Sequence, residues 1–75
     1  MTYSLTIHRY GRYMTFDTLD ELKAELATYF TQREKDSGIV DRLTRFTMET
    51  VTDNYGSYRF AQNDYQDYQI CAYED

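Results

Sequence analysis

The stretch TYSLTIHRY, residues 2–10, alternates over residues 2–8. Tyr3, Leu5 and Ile7 fall on one side, and Thr2, Ser4, Thr6 and His8 on the other. A period of two with aromatic and β-branched residues predicts a strand. Gly11 then allows a turn that other residues resist, and RYMTF predicts a second strand with Tyr13 and Phe16 facing inward. The two would form a hairpin over Tyr10, Gly11 and Arg12. From Thr18 the period changes. TLDE has the spacing of a capping box, in which Thr18 and Glu21 each satisfy a free backbone N–H of the first turn. Asp17 and Asp20 add negative charge at the end of the helix where its dipole favours it. Leu19, Leu22, Leu26, Tyr29 and Phe30 then recur at three- and four-residue steps as one apolar stripe. Glu21, Lys23, Glu25, Thr28 and Gln32 take the remaining surface. Arg33 and Lys35 suit a helix C-terminus, and Gly38 is a natural stop. The pattern predicts one helix over residues 18–35.

The stretch IVDRLTRFTMETVTDN, residues 39–54, supports two patterns. Ile39, Leu43 and Phe46 lie at helical spacing, whereas Thr44, Thr47, Thr50, Val51 and Thr52 form a β-branched run. The β-branched run is taken to dominate, which predicts a strand over 42–52 with Phe46 and Met48 on one face. DNYG at 53–56 predicts a turn. SYRFAQ follows as a strand with Tyr58 and Phe60 on one face, and Asn63 and Asp64 predict a second turn. YQDYQICAY closes the chain with Tyr68, Ile70 and Ala72 opposite Gln69, Cys71 and Tyr73. The expected fold is α+β: a single domain, residues 1–75, with a small antiparallel sheet of three to five strands and one amphipathic helix packed on one face. The other sheet face would carry Thr, Gln, Arg and surplus Tyr.

Composition sharpens this picture. A chain of 75 residues buries only roughly 60% of its unfolded surface, so its stability margin is thin. Cys71 is the single cysteine, which excludes an intrachain disulfide and points to a reducing, cytoplasmic setting. Nine Tyr and four Phe must supply much of the core, yet nine phenols exceed what a small core can hold. Several are expected at the surface, where Tyr suits interfaces. The net charge of −5, from 13 acids against 8 bases, argues against binding phosphate backbones or anionic membranes. No apolar run reaches the roughly 20 residues of a membrane helix, and MTYSLTIHRYGR has no secretory-signal pattern.

Candidate chemistry is sparse. His8 and Cys71 could pair only if the ends of the chain meet, and no nucleophile motif accompanies them. One His and one Cys fall short of a zinc ligand set. Asp64 and Asp67 would need a cleft that drives their pKa values apart. Gly11, Gly38 and Gly56 are too scattered for a phosphate-cradling loop. No catalytic, cofactor or metal role is therefore expected. Arg9, Tyr10, Arg12 and Tyr13, joined on the sheet by Arg42, Arg45 and Arg59, have the composition of a stacking site for single-stranded nucleic acid. The competing expectation is that these arginines pair with carboxylates and pack over tyrosine rings.

The closing NDYQDYQICAYED carries Asp64, Asp67, Glu74 and Asp75 among Tyr65, Tyr68 and Tyr73, with no basic residue. Desolvated tyrosines make hot spots, and surrounding carboxylates steer a basic partner. These seven residues are the expected partner-binding site. A solvated edge strand, protected by its charges, would show the same composition. In size, net charge, abundance of Tyr, the TLDELKAELATYF helix and this acidic end, the chain resembles the small anti-defence proteins of phages and mobile elements, among them anti-CRISPR and anti-restriction inhibitors. The similarity is one of character over the whole chain and carries over no individual residue. It implies a non-enzymatic inhibitor that binds a basic, nucleic-acid-facing protein surface in the host cytoplasm, in some members by presenting carboxylates in place of phosphates. Two other readings are a small regulatory or assembly module that homodimerises through its sheet, and a weak single-stranded nucleic-acid binder.

Overall fold

The computed structural model describes residues 1–74. Five strands, β1 (Thr2–Ile7), β2 (Arg12–Phe16), β3 (Glu49–Asp53), β4 (Gly56–Tyr65) and β5 (Tyr68–Glu74), form one antiparallel sheet in the order β2-β1-β5-β4-β3. Three short helices, α1 (Leu19–Ala27), α2 (Gln32–Asp36) and α3 (Ile39–Leu43), lie between β2 and β3 in sequence. The α+β expectation is met. The first and last strands pair at the centre, with Leu5 opposite Ile70 and Ile7 opposite Tyr68. Alternation along β1 and β5 sends Leu5, Ile7, Tyr68 and Ile70 to the side where Leu22, Leu26, Phe30, Ile39 and Leu43 descend from the helices. Leu5, Ile7, Leu22, Leu26 and Ile70 are fully buried, and each contributes about 1.5–3 kcal/mol by leaving water.

The helical region departs from one continuous helix over 18–35. Thr28, Tyr29, Phe30 and Thr31 are poor helix formers, and the Thr28 hydroxyl donates back to the Glu25 carbonyl at 2.7 Å. The break lets Phe30 turn into the core and Tyr29 pack against Tyr68, with ring centroids 6.1 Å apart. Thr31 then opens α2 with a reciprocal capping box. Its hydroxyl accepts from the Glu34 N–H at 3.2 Å, and the Glu34 carboxylate accepts from the Thr31 N–H at 2.9 Å. At Thr18 only half of the expected box forms. The hydroxyl accepts from the Glu21 N–H, but the Glu21 carboxylate accepts from the Thr18 hydroxyl and leaves the Thr18 backbone N–H unengaged by it.

Residues 39–52 also resolve differently from the expected strand over 42–52. Ile39 and Leu43, one turn apart, bury themselves as α3 beside α1, and this burial outweighs the β-branched run. Thr44 is absorbed by donating to the Val40 carbonyl at 2.7 Å. The strand starts only at Glu49. Gly38, with φ of +82°, joins α2 to α3 and does not end a long helix. Asn63 and Asp64 lie within β4, not in a turn. The Asn63 amide donates to the carbonyls of Leu43 and Arg45 at 2.9 and 3.2 Å and so fastens the loop after α3 to the sheet. The turn falls at Gln66 and Asp67. Tyr13 faces outward, because β1–β2 register sets Met14 opposite Leu5 and Phe16 opposite Tyr3 on the core side.

The molecule is elongated, 44 × 24 × 21 Å. The long dimension follows from β4, whose first three residues pair, among the described residues, with β3 alone. Gly56, at φ of +133°, turns the chain at the end of this arm in a backbone region that L side chains rarely take.

Candidate interaction surface

Strand alternation divides the expected partner-binding residues between two environments. Tyr68 is a core residue, 4% exposed, its ring 5.4 Å from that of Phe30. Loss of solvation pushes its phenol above the ordinary tyrosine range, against the opposing pull of the Arg9 charge. Tyr65 is half-buried against Phe30 at 6.1 Å. Glu74 lies on the helix side of β5 and meets Arg59 at 2.9 Å. Asp64 and Tyr73 point to the opposite, uncovered face. Asp75 lies outside the described residues. A continuous acidic strip across one face is thus corrected: a period of two separates neighbours that are adjacent in sequence.

The expectation that this segment lacks its own counter-charge is corrected as well. The Asp67 carboxylate accepts from Arg9 three times, from Nε at 2.8 Å, from Nη2 at 3.1 Å and from the backbone N–H at 3.1 Å. The Asp67 carbonyl accepts from the His8 N–H at 2.9 Å. Arg9 also donates to the Tyr68 hydroxyl at 3.0 Å, and its guanidinium lies 5.3 Å from the Tyr10 ring centroid and 5.4 Å from that of Tyr68. This clasp ties the 3-10 turn after β1 to the β4–β5 turn, 58 residues later. The hydrogen bond from Arg9 holds the Asp67 carboxyl below the ordinary aspartate range and raises the guanidinium in return. A carboxylate whose folded pKa is lowered contributes stability above its unfolded pKa and loses it as pH falls through the folded value. Asp67→Asn should therefore lower the melting temperature at neutral pH. The gap to the parent should close on acidification, starting at about pH 5 and completing below the ordinary aspartate value. A gap that ignores pH would show that the clasp is not electrostatic.

The other candidate pairs do not assemble. Ser4 faces Cys71 across β1 and β5, so His8, four residues further along, sits about 13 Å away by strand rise. Cys71 is buried, its thiol directed at the Gln62 side-chain amide oxygen Oε1 at 4.0 Å. Asp67 is engaged by Arg9, while Asp64 accepts from the Gln62 amide at 3.2 Å on the uncovered face. No group of three or more His, Cys, Asp or Glu that could hold a metal ion occurs among the described residues, and no helix among them is long and apolar enough to cross a membrane. The arginines of the expected stacking site are spoken for. Arg9 holds Asp67, Arg12 donates to the Tyr29 hydroxyl at 3.3 Å, and Arg59 holds Glu74. Arg42 lies in α3 and Arg45 in the loop after it, not on the sheet.

What remains is the sheet face opposite the helices. By register it carries Tyr13 from β2, Tyr73 from β5, Tyr58 and Phe60 from β4, and the carboxylates of Asp64 and Glu49. Tyr73 and Phe60 pack at 5.2 Å. Desolvation, then the neighbouring Cys71, pushes the Tyr73 phenol up. Tyr13 and Tyr58 are 64% and 39% exposed, and Tyr55 at the arm's tip is 97% exposed. The Arg side chains expected on this face are absent from its described strands, because Arg12 and Arg59 share the register of core-facing residues. The result is an aromatic surface with acids and no base. Glu49, Tyr58 and Phe60 were missed as site residues, and Tyr13 was read only as part of a nucleic-acid stacking site. Tyr58 and Phe60 could be assigned to one face by alternation, but strand order alone shows that they adjoin Tyr73. Comparison with protein-family models, curated proteins and solved structures found no match.

Proposed function

We propose that this protein is a non-enzymatic inhibitor that binds a basic, nucleic-acid-facing surface of a bacterial defence complex, and that it does so with the uncovered sheet face. The observation that carries this reading is the charge sorting. Arg9 and Arg59 are neutralised by Asp67 and Glu74, and Arg12 is turned to the core-facing side of the sheet. The aromatic face keeps Glu49 and Asp64 without a basic neighbour on its strands. Aromatic anchors ringed by carboxylates complement a surface rich in Lys or Arg. The resemblance in size and charge to anti-defence proteins supports the inhibitor class and the choice of partner. The contact role passes from Asp67, Tyr68 and Glu74, which hold the fold together, to Glu49, Tyr58, Phe60, Asp64 and Tyr73.

A plaque assay on CRISPR-armed cells tests the reading. The parent chain should restore plating of a targeted phage. Glu49→Lys with Asp64→Lys should abolish that protection at unchanged melting temperature, because like charges facing each other cost several kcal/mol. Equal protection by the double variant contradicts the surface assignment, and no protection by the parent contradicts the inhibitor role.

A further inference from the structure

The two-stranded arm supports a more specific contact. Among the described residues β5 pairs with Arg59–Tyr65, so Val51, Thr52 and Asp53 face Tyr58, Ser57 and Gly56 with no third described strand beside them. An isolated two-stranded ribbon is marginal in water. β3 is the last strand of the sheet, and its outer edge pairs with no other described strand. Of the usual protections of such an edge, Pro, Lys and a bulge are missing, and the only charges are two carboxylates, Glu49 and Asp53. Its register with β4 runs unbroken from Glu49 to Asp53. The three central residues are β-branched, which favours strand pairing.

We propose that the β3 edge receives an extended segment of the protein partner as an added antiparallel strand carrying basic residues four positions apart. This rests on the basic-partner reading above. The charges select the occupant. Glu49, Val51 and Asp53 share one face by alternation. A second copy pairing antiparallel about Val51 would set Glu49 opposite Asp53 twice, and like charges directly opposed destabilise a strand pair. A segment with Lys or Arg opposite Glu49 and Asp53, and a β-branched residue opposite Val51, turns both repulsions into cross-strand pairs. Main-chain hydrogen bonds then supply affinity, and the alternate side chains supply selection.

The test uses the isotope-labelled full chain and a capped heptapeptide of threonines with valine at its fourth position and lysines at its second and sixth. At millimolar peptide, amide exchange within Thr50–Thr52 should slow by at least about tenfold, with cross-strand nuclear Overhauser contacts to the peptide. A scrambled peptide with adjacent lysines should do neither. Unchanged exchange, or the same response to both peptides, overturns strand addition. Shifts confined to Tyr13, Phe60 and Tyr73 also overturn it but leave the face contact standing, whose own failure is read separately in the plaque assay. Concentration-dependent dimerisation with protection of the same amides would identify a second copy as the occupant and likewise overturn the proposal.

Discussion

Leu26→Ala is expected to cost about 2–5 kcal/mol and to leave a substantial unfolded population in water. Leu26 is fully buried in α1, on the same stripe as Leu22, above Leu5 and Ile70. A chain of 75 residues has a total stability of only about 4–11 kcal/mol, and no disulfide is available to limit its unfolded state. The helical layer consists of three short pieces that hold the sheet through this one cluster, so a cavity there has little neighbouring structure to collapse into. Urea denaturation followed by far-ultraviolet circular dichroism checks the value. A loss below about 1 kcal/mol would mean that the helices are not what stabilises the sheet.

Removing exposed aromatics should do the opposite: harm binding and spare the fold. Tyr58→Ala and Tyr13→Ala delete rings on the uncovered face that are 39% and 64% exposed. Neither ring belongs to the buried cluster, so thermal unfolding should move little. As anchors in a desolvated contact, each is expected to cost at least about 2 kcal/mol, or roughly thirtyfold in Kd for the protein partner. Biolayer interferometry against the captured partner reads this directly. The contrast with Tyr68→Ala is diagnostic, because that substitution removes a core ring and the acceptor of an Arg9 hydrogen bond and should unfold the chain before it reports on binding.

Much of the fold was legible because period and burial agreed. Tyr3, Leu5 and Ile7 against Thr2, Ser4 and Thr6, and Tyr68, Ile70 and Ala72 against Gln69, Cys71 and Tyr73, read correctly by alternation alone. The stripe from Leu19 to Phe30 was legible as an apolar face, but its interruption at Thr28–Thr31 was not read. The signal was present in the second box, Thr31 to Glu34, with the same spacing as Thr18 to Glu21. Residues 39–48 failed for a tertiary reason. Ile39 and Leu43 had a place beside α1 to fill, and burial there overrode the β preference of the threonines that follow. The candidate surface was harder still. Proximity in the sequence suggested one acidic strip, but pairing of the chain's first and last strands brought Arg9 to Asp67 across 58 residues. Strand order then placed Phe60 beside Tyr73. Neither contact follows from any local pattern, since both are fixed by topology.

Hydrogen–deuterium exchange on the chain bound to its captured partner bears most closely on where this protein makes contact. Protection is expected over 49–53, 56–64 and 71–73, with α1 and α2 unchanged. Protection confined to the helices, with the sheet's outer face exchanging as in the free chain, would contradict it.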